Sequence, residues 1–191
     1  MTYKAFGENL EIYVKSDFLS KTELELLDKE IELANTNNFW SNPEGNTTDV
    51  DTWDGRTYFP ENSEVLYPIT QKVIDFYDKN IRSIENLNDV GQIFTALGPI
   101  NRTKQGESLP AHDDLGPPEI NAPVEYGVVI YLNDNFEGGE LYYSEKNLTI
   151  HPKRGMLVIH GATKEYTHGV SEVTSGVRYG LTMFINRPDA F

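Results

Sequence analysis

His112, Asp114, His168 and Arg178 are the residues of this chain whose types and spacing could do chemistry. His112 and Asp114 form a His-x-Asp pair, and a second imidazole lies far along the chain at His168. Two imidazoles and one carboxylate on one face of a metal ion are the ligand set of non-haem Fe(II) oxygenases. That set leaves coordination positions open for a cosubstrate and O₂. Arg178 follows His168 by one strand length. A guanidinium grips a carboxylate through two parallel hydrogen bonds, so an arginine there suits the far end of a dicarboxylic keto acid. A His-x-Asp alone is a weak signal. Its bland reading is a loop histidine beside the acidic pair Asp113-Asp114, with His168 a strand-end histidine bonded to backbone.

Composition bounds the rest. A length of 191 residues suits one domain with a real core. Eleven Tyr and nine Phe are far from a disordered composition. A formal charge of −14 argues against a nucleic-acid partner, since such binders cluster Lys and Arg. The same charge permits a basic peptide partner without demanding one. With no Cys, disulfides and thiolate metal sites are excluded and a reducing compartment is comfortable. Met1–Lys15 lacks a basic-then-apolar run, and no apolar stretch nears the roughly 18 residues of a membrane span. The expectation is a soluble, cytoplasmic protein with no membrane partner, of bacterial or viral source. The sequence is silent on oligomeric state.

These residues need elements to position them. Leu10–Val14 reads as a strand. Ser20-Lys21-Thr22-Glu23 has capping-box spacing and opens a helix, on which Leu24, Leu27, Ile31 and Ala34 share a face. Residues 37–62 form a long polar loop carrying Trp40, Trp53, Tyr58 and Phe59, and loops of that length tend to be functional or mobile. A second helix spans Glu64–Asn80 with the stripe Val65, Ile69, Val73 and Phe76, and Pro68 near its first turn. From Asp89 onward short β-rich runs alternate with Gly and Pro: Gln92–Thr103, Tyr126–Asn133, Glu140–Tyr143, Asn147–Ile150, Met156–His160, Tyr166–Val170 and Val177–Asn186. That pattern means a sandwich or barrel with helices on one face, an α+β protein whose candidate ligands sit near strand ends at a barrel mouth.

At this point the chain resembles the prolyl-4-hydroxylase-like branch of the 2-oxoglutarate/Fe(II)-dependent dioxygenases, over about Leu10 to Ile185. Several segments carry the resemblance. Arg56-Thr57 before a helix is one, and Gly106-Glu107-Ser108-Leu109-Pro110-Ala111-His112-Asp113-Asp114 is the second. Val129-Ile130-Tyr131-Leu132-Asn133 followed by Glu137-Gly138-Gly139-Glu140-Leu141 is the third. Pro152-Lys153-Arg154-Gly155 with Leu157-Val158-Ile159 leads to the last, His168-Gly169-Val170 with Arg178-Tyr179-Gly180-Leu181-Thr182. The resemblance implies a double-stranded β-helix, or jelly roll, flanked by N-terminal helices, as a single dioxygenase domain over residues 1–191.

It also implies roles. His112, Asp114 and His168 would hold Fe(II); Arg178 would pair with the distal carboxylate of 2-oxoglutarate, where many prolyl hydroxylases use Lys. Tyr131 stands where a phenol binds the same carboxylate, or it is a core aromatic. Gly138 and Gly139 read as turn residues at positive φ. Two departures stand out. Thr103 opens the stretch where the family has Tyr-x-x-Gly, and a Thr hydroxyl reaches less far toward the cosubstrate. His160 replaces the usual aromatic, either as a buried satisfied histidine or as a polar group facing the site. His151 reads as an ordinary surface histidine.

The implied activity is that of a procollagen-proline 4-dioxygenase-like hydroxylase acting on an unactivated C–H bond. It would use Fe(II), 2-oxoglutarate and O₂, with ascorbate an accessory of the family. Peptidyl-proline in a peptide or protein is the first substrate reading, and a free amino acid or other small molecule the second. A non-catalytic jelly-roll binding module is the rival from another class, against which an intact ligand set and Arg178 count. A nucleic-acid dealkylating enzyme shares the ligand logic but fits the negative charge poorly. Residues 37–62 and the Pro-rich 115–123 are expected to flank the substrate channel. Trp40, Trp53, Arg56 and Tyr58 are candidate substrate contacts; loop anchoring into the core is the competing reading for the aromatics.

Overall fold

The computed structural model describes residues 4–6, 12–41, 55–60, 63–82, 94–96, 98–115 and 124–186. Two short strands, β1 (Lys4–Phe6) and β2 (Ile12–Lys15), precede helix α1 (Lys21–Asn37). The helix starts where the sequence predicts. Ser20 Oγ accepts from the Glu23 backbone N–H while the Glu23 carboxylate accepts from Ser20 N–H, so two orphan donors are satisfied reciprocally. Lys72 of the second helix reaches the same Glu23 carboxylate at 2.8 Å, tying the helices together. At the far end Asn38 takes the left-handed conformation at φ 53° that a helix stop needs.

Burial pushes the Glu23 carboxyl up, but its hydrogen bonds with Lys72 and Ser20 outweigh that and hold it below its ordinary value. The folded state therefore favours ionised Glu23. This contribution to stability is present above the unfolded pKa and is lost as pH falls through the depressed folded value. Ser20→Ala is expected to cost about 1 kcal/mol of unfolding free energy, measured by denaturant titration at neutral pH. The gap between wild type and Glu23→Gln should shrink as that titration is moved into the acid range.

After strand β3 (Thr57–Tyr58) comes α2 (Ser63–Tyr77), whose last residue runs into a π-turn over Asp78–Arg82. Pro68 sits beyond the first turn of α2, one turn deeper than the sequence suggests, where it removes one helix hydrogen bond. The expected strand Gln92–Thr103 is two strands, β4 (Phe94–Ala96) and β5 (Ile100–Lys104). The break falls at Gly98-Pro99, where a Cβ on Gly98 would lie 1.3 Å from the Thr182 carbonyl oxygen. The strands β6 (Leu109–His112), β7 (Val124–Tyr131), β8 (Glu137–Gly138), β9 (Leu141–Tyr143), β10 (Leu148–Ile150), β11 (Leu157–Gly161), β12 (His168–Val170), β13 (Val173–Ser175) and β14 (Val177–Asn186) complete the chain. Tyr166 ends a 3₁₀ turn and does not start a strand.

The described strands form one large sheet in the order β1-β2-β11-β7-β14-β5-β3, with β4 also on β14, and a smaller sheet β10-β9-β12-β6. The strip β8-β13 stands apart, and Gly138 and Gly139 turn there at φ 73° and 65° as the sequence suggests. This is the jelly-roll architecture. Alternation along β7 shows how it is filled. Tyr126, Val128 and Ile130 join α1 and α2 in one apolar cluster, while Val129 and Tyr131 face Leu141, Tyr143 and Ile150 of the smaller sheet in the other. Period-two patterning thus splits one strand between two cores. Each fully buried Leu or Ile contributes on the order of 1.5–3 kcal/mol, so the register of β7 is firmly set. No described helix is long and apolar enough to cross a membrane.

Candidate metal centre and cosubstrate pocket

β6 ends on His112 and β12 begins on His168, and the two are direct cross-strand partners in the smaller sheet. Their rings lie 4.5 Å apart between centroids. Asp114 follows β6 and its backbone N–H donates to Ala162 O at 3.1 Å, which turns the carboxylate toward both imidazoles. Asp114 Oδ1 is 3.7 Å from His112 Nε2 and Oδ2 is 3.9 Å from His168 Nε2. One ligand atom from each of the three lies within 4.8 Å of the others. His112 Nδ1 is 2.9 Å from Pro110 O, and His168 Nδ1 is 2.9 Å from Tyr166 O. A carbonyl only accepts, so both Nδ1 atoms carry the proton and both Nε2 lone pairs face Asp114. This is how backbone carbonyls fix imidazole ligands for a metal.

Burial pushes the Asp114 carboxyl above its ordinary range, against the opposing pull of His168 and His112. Burial lowers His168, against the pull of Asp114. Two imidazole Nε2 lone pairs around a carboxylate that resists ionising are a site whose electrostatics a divalent cation would complete. The donor set and its spacing therefore fit Fe(II).

A cavity of about 450 Å³ opens on these residues. Arg178 projects into it from β14, beside Thr103 on β5, its cross-strand partner. Arg178 is only 6% exposed, its Nε has no hydrogen-bond partner, and no carboxylate among the described residues pairs with it. A buried cation without a partner is costly, and an anionic ligand is what would satisfy it. The Tyr131 ring lies 5.0 Å from that guanidinium, and Tyr131 is fully buried. Tyr131 sits behind the cavity wall, outside its lining.

His160 meets both readings of it. It is buried, with Nδ1 3.2 Å from Gly161 O, and it lines the cavity, its Nε2 3.9 Å from Asp114 Oδ2 and its ring 4.3 Å from that of His168. Burial, with His168 beside it, holds it well below the usual imidazole value. Among the other candidates Arg56 lines the cavity, but its guanidinium is engaged with Ser108 O at 3.0 Å and Glu107 at 3.4 Å. Tyr58 is not at the cavity. It is 4% exposed in the main core, its hydroxyl donates to Glu30 at 2.9 Å, and its ring packs on Trp40. Trp40 is an anchor of the same kind, bonded to Asn35 and stacked on Arg102. Trp53 lies outside the described residues, as do most of 37–62 and of 115–123.

One residue of the site escaped the sequence reading. Gly127 lies under Asp114: a Cβ there would stand 2.0 Å from Asp114 Oδ2 and 2.8 Å from His160 Cε1. The available signal was a glycine inside an apolar strand run, Tyr126-Gly127-Val128, which marks a close approach. Gly127→Ala is expected to push Asp114 off its position and weaken Fe(II) binding on the order of tenfold to a hundredfold, with the circular dichroism spectrum unchanged. Anaerobic Fe(II) titration checks it; wild-type affinity would show that the carboxylate has room to spare.

Residues 98–186 match the model of the 2OG-Fe(II) oxygenase superfamily, a segment that holds His112, Asp114, His168 and Arg178. The resemblance to the 2-oxoglutarate/Fe(II)-dependent dioxygenases drawn from the sequence motifs is borne out, at the level of the superfamily, by this match. Human prolyl 3-hydroxylase 2 is 37% identical over 106 residues, 47% of this chain and 15% of that protein. The chain thus spans only a small part of the curated relatives it matches. The fold is shared with the viral collagen prolyl hydroxylase of Paramecium Bursaria Chlorella virus-1, solved with 2OG, at TM-score 0.69, 18% identity and coverage of 93% of this chain and 96% of that one. It is shared too with a Trichoplax adhaerens prolyl hydroxylase solved with a hypoxia inducible factor oxygen degradation domain peptide. There the TM-score is 0.73, the identity 17% and the coverage 94% and 85%.

Proposed function

We propose that this chain is an Fe(II)- and 2-oxoglutarate-dependent dioxygenase that hydroxylates a prolyl residue in a peptide or protein, in the cytoplasm. The observation that carries the reading is the joint presence, in one cavity, of the His112–Asp114–His168 cluster and a buried Arg178 that no carboxylate among the described residues pairs with. The chemistry the bound metal supplies is O₂ activation coupled to decarboxylation of 2-oxoglutarate to succinate and CO₂, with hydroxyl transfer to an unactivated C–H bond. His112, Asp114 and His168 would hold the ion through Nε2, a carboxylate oxygen and Nε2. Arg178 would take the distal carboxylate of 2-oxoglutarate in two-pronged fashion, with the Thr103 hydroxyl beside it and Tyr131 behind the guanidinium. Val129, Leu141 and Val170 line the same space and keep water from it. A single domain over residues 1–191 is supported by the large sheet, which takes strands from Lys4–Phe6 and from Val177–Asn186 alike.

The substrate class rests on the relatives' names: prolyl hydroxylases recur among them and among the similar folds. The test is succinate release under Fe(II), 2-oxoglutarate and O₂ with a pool of single-proline hexapeptides, followed by mass spectrometry and amino-acid analysis of the product. A gain of one oxygen on proline is expected, and the analysis separates 3- from 4-hydroxyproline. Succinate release driven by free proline and by no peptide would move the substrate to the small molecules.

A further inference from the structure

Three polar side chains cross the large sheet in a row on the face toward the cavity: Thr57 on β3, Asn101 on β5 and Thr182 on β14. Thr57 and Asn101 are cross-strand partners, and Asn101 pairs with Gly180 on its other side. The Thr57 hydroxyl donates to Asn101 Oδ1 at 3.3 Å, and Asn101 Nδ2 donates to Thr182 Oγ1 at 2.8 Å. The direction of this relay is fixed at its buried end. Thr57 is fully buried, and Asn101 Oδ1 is the acceptor its hydroxyl has; reversing the amide would leave that proton without one. At the open end Thr182 Oγ1 accepts from Asn101, and its own proton goes to no described residue. Asn101 and Thr182 line the cavity, and so does Phe184, the next residue on that face of β14 and 36% exposed.

Resting on the reading above, we propose that Thr182 binds the substrate, donating its hydroxyl proton to the carbonyl oxygen of the peptide bond that precedes the target proline. Asn101 is the positioning residue that aims it. The wall offers a hydroxyl donor whose proton is uncommitted and an apolar ring beside it. A peptide bond before proline matches that pattern because it has a carbonyl and no N–H. Phe184 gives the pyrrolidine ring an apolar surface beside the donor.

The experiment uses the hexapeptide that gives most product in the pool, labelled with fluorescein, and reads both its anisotropy on the anaerobic Fe(II)–2-oxoglutarate protein and its KM. Thr182→Val keeps the shape and removes the donor. It should weaken the peptide roughly tenfold in Kd and KM, and leave the 2-oxoglutarate KM where it was. Thr182→Ser should restore binding. Asn101→Asp replaces a donor with an acceptor, so the Thr182 proton turns inward to it; this variant should lose peptide affinity as Thr182→Val does. Combining the two should add little, since both remove the same hydrogen bond. A Thr182→Val protein that binds peptide like wild type overturns the proposal, as does one whose 2-oxoglutarate KM rises in place of the peptide's. A wild-type protein that releases no succinate under any condition overturns the dioxygenase reading itself.

Discussion

Fe(II)-dependent succinate release falls at least about a hundredfold in His112→Ala, Asp114→Ala and His168→Ala. Each change removes one of three donors, and the described residues hold no second cluster of metal-ligating side chains. His112 and His168 face each other across adjacent strands, and Pro110 and Tyr166 carbonyls hold the protonated Nδ1 of each. The neighbouring His160 has its Nδ1 on Gly161 O and its Nε2 3.9 Å from Asp114 Oδ2, and it falls outside the three-residue cluster. Anaerobic Fe(II) titration separates a metal defect from a folding defect, because all three variants should keep the wild-type circular dichroism spectrum. Losing His168 should be the most severe, since its ring also packs against Tyr143 and His160. Near-normal succinate release by His168→Ala would sink the assignment of that ligand. Chelation of the wild type should abolish turnover, and Fe(II) alone should restore it.

Much of this site was legible in the sequence because its parts lie at strand ends, where periodicity and spacing locate residues well. The strand Val177–Asn186 was bounded correctly as a β-rich run following Gly176, and Arg178 lies near its start. The Ser20–Glu23 spacing gave the start of α1 through its capping chemistry. What stayed hidden depends on tertiary contact. Nothing local to Tyr58 distinguishes an aromatic that grips substrate from one buried against Trp40 with its hydroxyl on Glu30. The split of 92–103 into β4 and β5 follows from Gly98 pressing on the Thr182 backbone, residues far apart in sequence. Gly127 is silent for the same reason: its missing Cβ matters only because Asp114 and His160 stand over it. Arg56 was found as a cavity residue, yet its engagement with Ser108 and Glu107, on the segment entering β6, has no signature in its own segment. The expectation that 37–62 orders over a bound peptide falls mostly outside the described residues.

Arg178→Ala should raise the 2-oxoglutarate KM strongly while leaving Fe(II) binding close to wild type. Removing one partner of a buried charge-assisted pair costs about 2–5 kcal/mol, which is a loss of roughly thirtyfold to several thousandfold in affinity. The metal should stay because Arg178 belongs to the opposite sheet from His112 and His168. Tyr131→Phe should raise the same KM by less, since it removes a single neutral hydroxyl. A stability measurement gives the argument a second, opposite sign. Without 2-oxoglutarate the Arg178 guanidinium is buried with no carboxylate partner among the described residues and its Nε unsatisfied, a state that destabilises the fold. Arg178→Met, which keeps the apolar stem and removes the charge, should therefore melt at or above the wild-type temperature in the absence of cosubstrate. Adding 2-oxoglutarate with a non-reactive divalent ion should raise the melting temperature of the wild type by mass action and barely move the variant. An arginine serving only in a structural ion pair would behave the other way: its loss would lower the melting temperature in both conditions and leave the 2-oxoglutarate KM where it was.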